Sequence, residues 1–90
     1  MNACANIIVN GMVQGVGFRY FVHTRATKLG LNGIVKNNSD GSVAIEAEGE
    51  RSLIEEFIKE IKIGPRFANV GDVKIEWQSF SNRFRSFEIK

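Results

Sequence analysis

The sequence is poor in the residues that most often announce a mechanism. It has one histidine, His23, and one cysteine, Cys4, so there is no ligand cluster for a metal centre and little basis for a nucleophilic triad. A lone cysteine cannot form an internal disulfide, which points to a reducing compartment, the cytoplasm. No apolar run approaches bilayer length, so no membrane span is expected. The opening residues, Met1-Asn2-Ala3-Cys4-Ala5-Asn6, have neither the basic nor the apolar region of a signal peptide. Acid is missing from the first part of the chain, where Asp40 is the first carboxylate. Ahead of it stand Arg19, Arg25, Lys28 and Lys36 without counter-charge, while the remainder carries a slight acidic excess. That imbalance favours a small anion as ligand. Spread over so few positions, it is too thin for a nucleic-acid footprint, and no nucleic-acid partner is expected.

What is present is an ordinary globular composition over 90 residues, enough for a single domain, residues 1–90, with a modest core. Residues 5–12 read as a strand, although Ile7, Ile8 and Val9 blur its alternation. The period then changes: Phe18, Phe21, Val22, Ala26 and Leu29 share one helical face, and Gly30 is placed to stop the helix. A short strand over residues 33–37 leads into the turn Asn38-Ser39-Asp40-Gly41. In the next strand, residues 42–48, Val43, Ile45 and Ala47 point one way and Glu46 and Glu48 the other. Ser52-Leu53-Ile54-Glu55 has the form of a capping box. It opens a second helix whose apolar face is Leu53, Ile54, Phe57, Ile58 and Ile61, ended by Gly64-Pro65. Val73, Ile75 and Trp77 alternate with charged residues over residues 70–77, and Phe87 and Ile89 mark a short last strand. The order β-α-β-β-α-β predicts an α+β, ferredoxin-like sandwich: an antiparallel sheet, both helices on one face, and a short extra C-terminal strand.

The chain is organised around Val9-Asn10-Gly11-Met12-Val13-Gln14-Gly15-Val16-Gly17-Phe18-Arg19. Strand, glycine-rich loop and helix start is an arrangement that aims backbone N–H groups at one anion. Arg19 sits in the first helical turn, where a cation opposes the helix dipole. It is explained if an anion lies between the loop and its guanidinium. The plainer reading, a tight strand-to-helix connection, stands equally on the residues alone, and the loop lacks the Gly-Lys-Ser/Thr ending of a Walker A motif. Asn37 and Asn38 read first as turn formers, His23 as a packing or surface residue, and Cys4 as a small buried apolar residue. Phe80, Phe84 and Phe87, with Arg83 and Arg85 between them, read as edge-strand core and solvated charge before they read as a base-stacking surface.

Two segments of the chain resemble the acylphosphatase family. Its first signature, aliphatic-x-G-x-V-Q-G-V-x-F-R, is met at every specified position by residues 9–19. Its second, G-aromatic-V-K/R-N-x-x-x-G-x-V with a glycine further on, is met by Gly33-Ile34-Val35-Lys36-Asn37-Asn38-Ser39-Asp40-Gly41-Ser42-Val43 and Gly49, with Ile34 in place of the aromatic residue. The resemblance covers nearly the whole chain. It implies hydrolysis of a small-molecule acyl phosphate to a carboxylate and inorganic phosphate, the phosphate acting as product and inhibitor, with no metal or cofactor. It also implies that Arg19 binds phosphate, that the amides of Gln14, Gly15, Val16, Gly17 and Phe18 cradle it, and that Asn37 positions the attacking water. A chain this short is expected to be a free-standing monomeric enzyme. The same element order also serves RNA-recognition modules, and similar domains inside larger maturation enzymes give a third expectation, a phosphate- or carbamoyl-phosphate-sensing domain. Residues 42–48 lack the aromatic residues an RNA-binding sheet would show.

Overall fold

The computed structural model covers residues 1–90. Its elements run β1 (Asn2–Met12), α1 (Phe18–Lys28), β2 (Asn32–Asn37), β3 (Val43–Glu50), α2 (Arg51–Ile63), β4 (Asn69–Gln78) and β5 (Phe87–Ile89). The order in the sheet is β4-β1-β3-β2-β5. β1 lies between β3 and β4, antiparallel to both, and β2 is antiparallel to β3. The extra strand, β5, pairs parallel to β2, so the sheet is mixed at that edge.

Alternation along the strands selects the buried face. Ala3, Ala5, Ile7 and Val9 of β1, Val35 of β2, and Val43, Ile45 and Ala47 of β3 are buried in one cluster. Phe18, Val22 and Ala26 of α1 and Ile54, Phe57, Ile58 and Ile61 of α2 pack onto it, and Val13, Leu31 and Phe87 complete it. The apolar stripes read from the sequence are therefore the faces that pack, apart from Leu53, which is exposed. α1 ends as its glycine predicts: Leu31 N–H bonds Ala26 O and Gly30 N–H bonds Thr27 O, the paired bonds of a Schellman motif.

Two expectations are corrected and one is extended. β1 begins at Asn2, earlier than residue 5, because Asn2 and Ala3 remain paired with Glu50 and Gly49 of β3. That pairing carries β3 directly into α2, which starts at Arg51 with Glu50 as its N-cap and no side-chain cap bond. Ser52 therefore lies inside the helix and bonds Glu50 Oε1 at 3.2 Å, so the capping box is not made. Finally, Glu48 points to the outer face as read from its alternation, and what the sequence reading did not anticipate is that it is buried there.

Residues 79–86 bury it. They join β4 at one edge of the sheet to β5 at the other, and must cross the outer face. On the way Ser81 N–H and Oγ donate to Glu48 Oε2 at 2.8 and 2.6 Å, and Arg83 N–H donates to Oε1 at 3.1 Å. The Arg83 guanidinium pairs with Glu46. Asn82, the one non-glycine residue with positive φ (55°), curls the backbone between these donors. Burial pushes the Glu48 carboxyl's pKa up, but the bonds from Ser81 and Arg83 outweigh it and hold the group below the usual glutamate range.

Candidate active site

The chain leaves β1 at Met12 and enters α1 at Phe18, with Val13 and Phe18 buried as anchors at either end of the connection. Between them Gly15 (φ 74°) and Gly17 (φ 77°) are left-handed, a conformation that turns successive N–H groups toward one side and is strained for any residue with a Cβ. The N–H groups of residues 14–17 donate no hydrogen bond within the chain. Gly17 is the N-cap of α1 and offers no side chain to its first turn, which also contains no acid. The positive end of the helix and the adjoining loop amides thus meet no anion supplied by the protein.

Gln14 has a different task from its neighbours. Its Nε2 donates to Asn38 O and Ser42 O, both at 2.8 Å, and so ties the loop to the β2–β3 hairpin. The hairpin is itself locked: Asn38 Nδ2 donates to Ser42 Oγ, and Ser42 N–H and Oγ donate to Asp40 Oδ1. These last bonds, the hydroxyl's first, hold the Asp40 carboxyl below its usual range. They also engage the acid nearest in sequence to Asn37. Asn37, the last residue of β2, is paired with Val43 and exposed.

Arg19 projects from the first turn of α1 and is half-buried. Its Nη1 donates to Lys90 O at 3.0 Å, and Lys90 N–H in turn bonds Val35 O, so the guanidinium is steadied by the segment just after β5. Gly15, Gly17, Phe18, Arg19 and Asn37 line a single cleft of about 210 Å³. This brings together the two candidate side chains, Arg19 and Asn37, and the glycines that the sequence singles out. Val16 instead packs against the core, and Gln14 is held by the hairpin, so any part these two play is through the backbone. His23 sits apart with its ring edge-on to Phe87, and Cys4 is buried beneath the outer-face crossing. No group of histidine, cysteine and carboxylate side chains is arranged to hold a metal. Sequence reasoning missed Tyr20 and Ile89, which also line the cleft. The available signal was that Tyr20 lies off the apolar stripe of α1, yet is large and aromatic.

A planar cation, unbonded amides and a carboxamide around one cleft suit a phosphoryl group: donors for its oxygens and an uncharged acceptor for a water. Comparison with known proteins agrees. The acylphosphatase family model matches residues 5–89. An acylphosphatase of Methanococcoides burtonii is 44% identical over 88 residues, covering 98% of this chain and 92% of that protein. The crystal structure of acylphosphatase from Bacillus subtilis superposes with a TM-score of 0.95 at 41% identity, covering 100% of this chain and 99% of that one. Full-length HypF in its phosphate- and nucleotide-bound form also contains a similar region: TM-score 0.91, 38% identity, 100% of this chain but 12% of HypF.

Proposed function

Because this chain belongs to the acylphosphatase family, we propose that Arg19 and Asn37 are the residues through which it hydrolyses acyl phosphates to a carboxylate and inorganic phosphate. The observation that carries this assignment is their meeting, from separate elements, in one cleft with the glycine loop. Arg19 and the amides of residues 14–18 hold the phosphoryl oxygens. The Asn37 amide oxygen accepts a hydrogen bond from a water and aims its oxygen at phosphorus, opposite the bridging oxygen. As the new P–O bond forms, the bridging P–O bond breaks and its electron pair leaves on the carboxylate. One water proton passes to a phosphoryl oxygen, so the products are a carboxylate and dihydrogen phosphate.

Such a site can be sparse because a carboxylate is stable as an anion and needs no general acid to depart. Phosphoryl transfer of this kind depends chiefly on positioning and on stabilising charge spread over the equatorial oxygens. An asparagine directs the water without adding the negative charge by which an aspartate would repel the phosphate. The step as written uses no metal. Because the functional groups all come from one chain, a monomer suffices. The lone, buried Cys4 supports a cytoplasmic setting. The RNA-binding alternative loses support at the outer sheet face, where Glu46, Glu48 and Glu76 occupy β3 and β4 and residues 79–86 cross over.

Hydrolysis of benzoyl phosphate, with EDTA present, by wild type and Asn37→Ala tests the proposal. Metal-independent turnover is expected, with kcat falling in the variant on the order of 10²-fold and inhibition by inorganic phosphate weakened much less. Equal losses in both would make Asn37 a binding residue. Folded wild type that binds phosphate without turning over substrate would be a sensing domain.

A further inference from the structure

The cleft that receives the phosphoryl group does not end at its polar lining. Tyr20 follows Arg19 on the first turn of α1 and is 70% exposed; Ile89 of β5 is 42% exposed. Both line the same cleft as Arg19 and Asn37. Single exposed apolar side chains need no explanation. Here two large ones, from elements far apart in sequence, converge where one end of the substrate is already bound. Neither contributes to the buried core.

We infer that Tyr20 and Ile89 form a shelf for the acyl group, and that the enzyme favours acyl phosphates with an aryl or bulky apolar acyl part over acetyl phosphate. The inference rests on the reading of Arg19 as the phosphate-binding residue and extends it to the other half of the substrate. With phosphate held at the loop and Arg19, the carbonyl and its substituent extend toward the rest of the cleft's lining, in which these two are the large exposed apolar side chains. The shelf is held in place before substrate arrives. Ile89 is in register with Val35 on β2, Lys90 N–H bonds Val35 O, and Lys90 O bonds Arg19. Tyr20 is fixed at its backbone by the helix and has few side-chain torsions to lose. A flat or branched acyl group would cover apolar surface that acetyl leaves wet. Carbamoyl and other polar acyl groups would gain nothing there.

The test compares kcat/KM for benzoyl phosphate and acetyl phosphate in wild type, Tyr20→Ala, Tyr20→Phe and Ile89→Ala. Taking each variant relative to wild type cancels the intrinsic reactivity of the two substrates. Tyr20→Ala should lose on the order of tenfold more on benzoyl phosphate than on acetyl phosphate, Ile89→Ala should lose in the same sense, and Tyr20→Phe should restore the preference. Because both side chains are exposed, the variants should fold, and a thermal melt checks this. Equal losses on the two substrates, or no loss on either, would overturn the shelf while leaving the reading of Arg19 standing. Folded wild type inactive on both substrates would overturn both inferences.

Discussion

Residues 13–17 and residues 79–86 are both irregular, and both use left-handed backbone, at Gly15 and Gly17 in one and at Asn82 in the other. They treat their N–H groups in opposite ways. In the crossing segment Ser81 and Arg83 donate to a carboxylate the protein itself provides, Glu48. In the loop the donors meet nothing from the chain, the first turn of α1 holds no acid, and the charged side chain that shares its cleft is a cation, Arg19. Unpaired donors lower stability unless water or a ligand takes them. A chain that fills one such backbone curl with its own anion and leaves the other open is using one device twice. In the first case the device makes structure; in the second it leaves donors free, as the proposed phosphate site requires.

The strongest way to break this contrast is at Arg19. Arg19→Ala should lower kcat/KM for benzoyl phosphate on the order of 10³-fold or more, and it should abolish the rise in melting temperature that inorganic phosphate is expected to give the wild type. The fold itself should remain, by circular dichroism. Phosphate protection that survives the substitution would show that the loop does not depend on its cation.

Glu48→Ala attacks the other region. It strands the Ser81 and Arg83 donors and should cost about 2–3 kcal/mol in denaturant unfolding, while activity per folded molecule at Arg19 stays near wild type. The same carboxyl sharpens the comparison through pH. Its folded-state pKa lies below the ordinary value of 4.5, so its stabilisation is present above that value and is lost as pH falls through the folded one. Unfolding measured from pH 7 to pH 3 should therefore show a shallower decline for Glu48→Gln than for wild type. Asp40, shifted in the same direction by Ser42, should keep the slope from vanishing. Identical slopes would mean that Glu48 is not the anchor.

The smallest effect is expected at Gln14, whose side chain joins the loop to the hairpin and whose proposed part in binding phosphate is through its backbone N–H alone. Gln14→Ala should cost about 1–2 kcal/mol and reduce kcat less than Asn37→Ala does. A loss as large as that of Arg19→Ala would place its side chain in the chemistry.

Most of the fold was legible because its signals are local. Phe18, Val22 and Ala26 at helical spacing, Gly30 after α1, and Gly64-Pro65 after α2 each act within a few residues. The candidate site was legible for a different reason: Arg19 and Asn37 stand inside two long motifs, and both precede the first acid of the chain, Asp40. What escaped was non-local. Ser52 looks like a cap until Glu50 is seen paired with Asn2, which begins the helix one residue earlier than Ser52. Glu48 alternates as a solvent-facing residue, and only a segment more than thirty positions later covers it. The parallel pairing of β5 and the contact of Arg19 with Lys90 depend on where the chain's last residues come to rest, which no window around Arg19 contains.

The place of β1 in the middle of the sheet also bears on the order in which the molecule can form. Its two neighbours are β3 and β4, so one side of the first strand must wait until residues 69–78 exist to pair with it. During synthesis Ile7 and Val9 would spend that interval in a partial sheet with an open edge, a state prone to association with other chains. Closing so long a loop before any pairing returns energy is slow, and folding should take milliseconds to seconds where a helical bundle of this size would take far less.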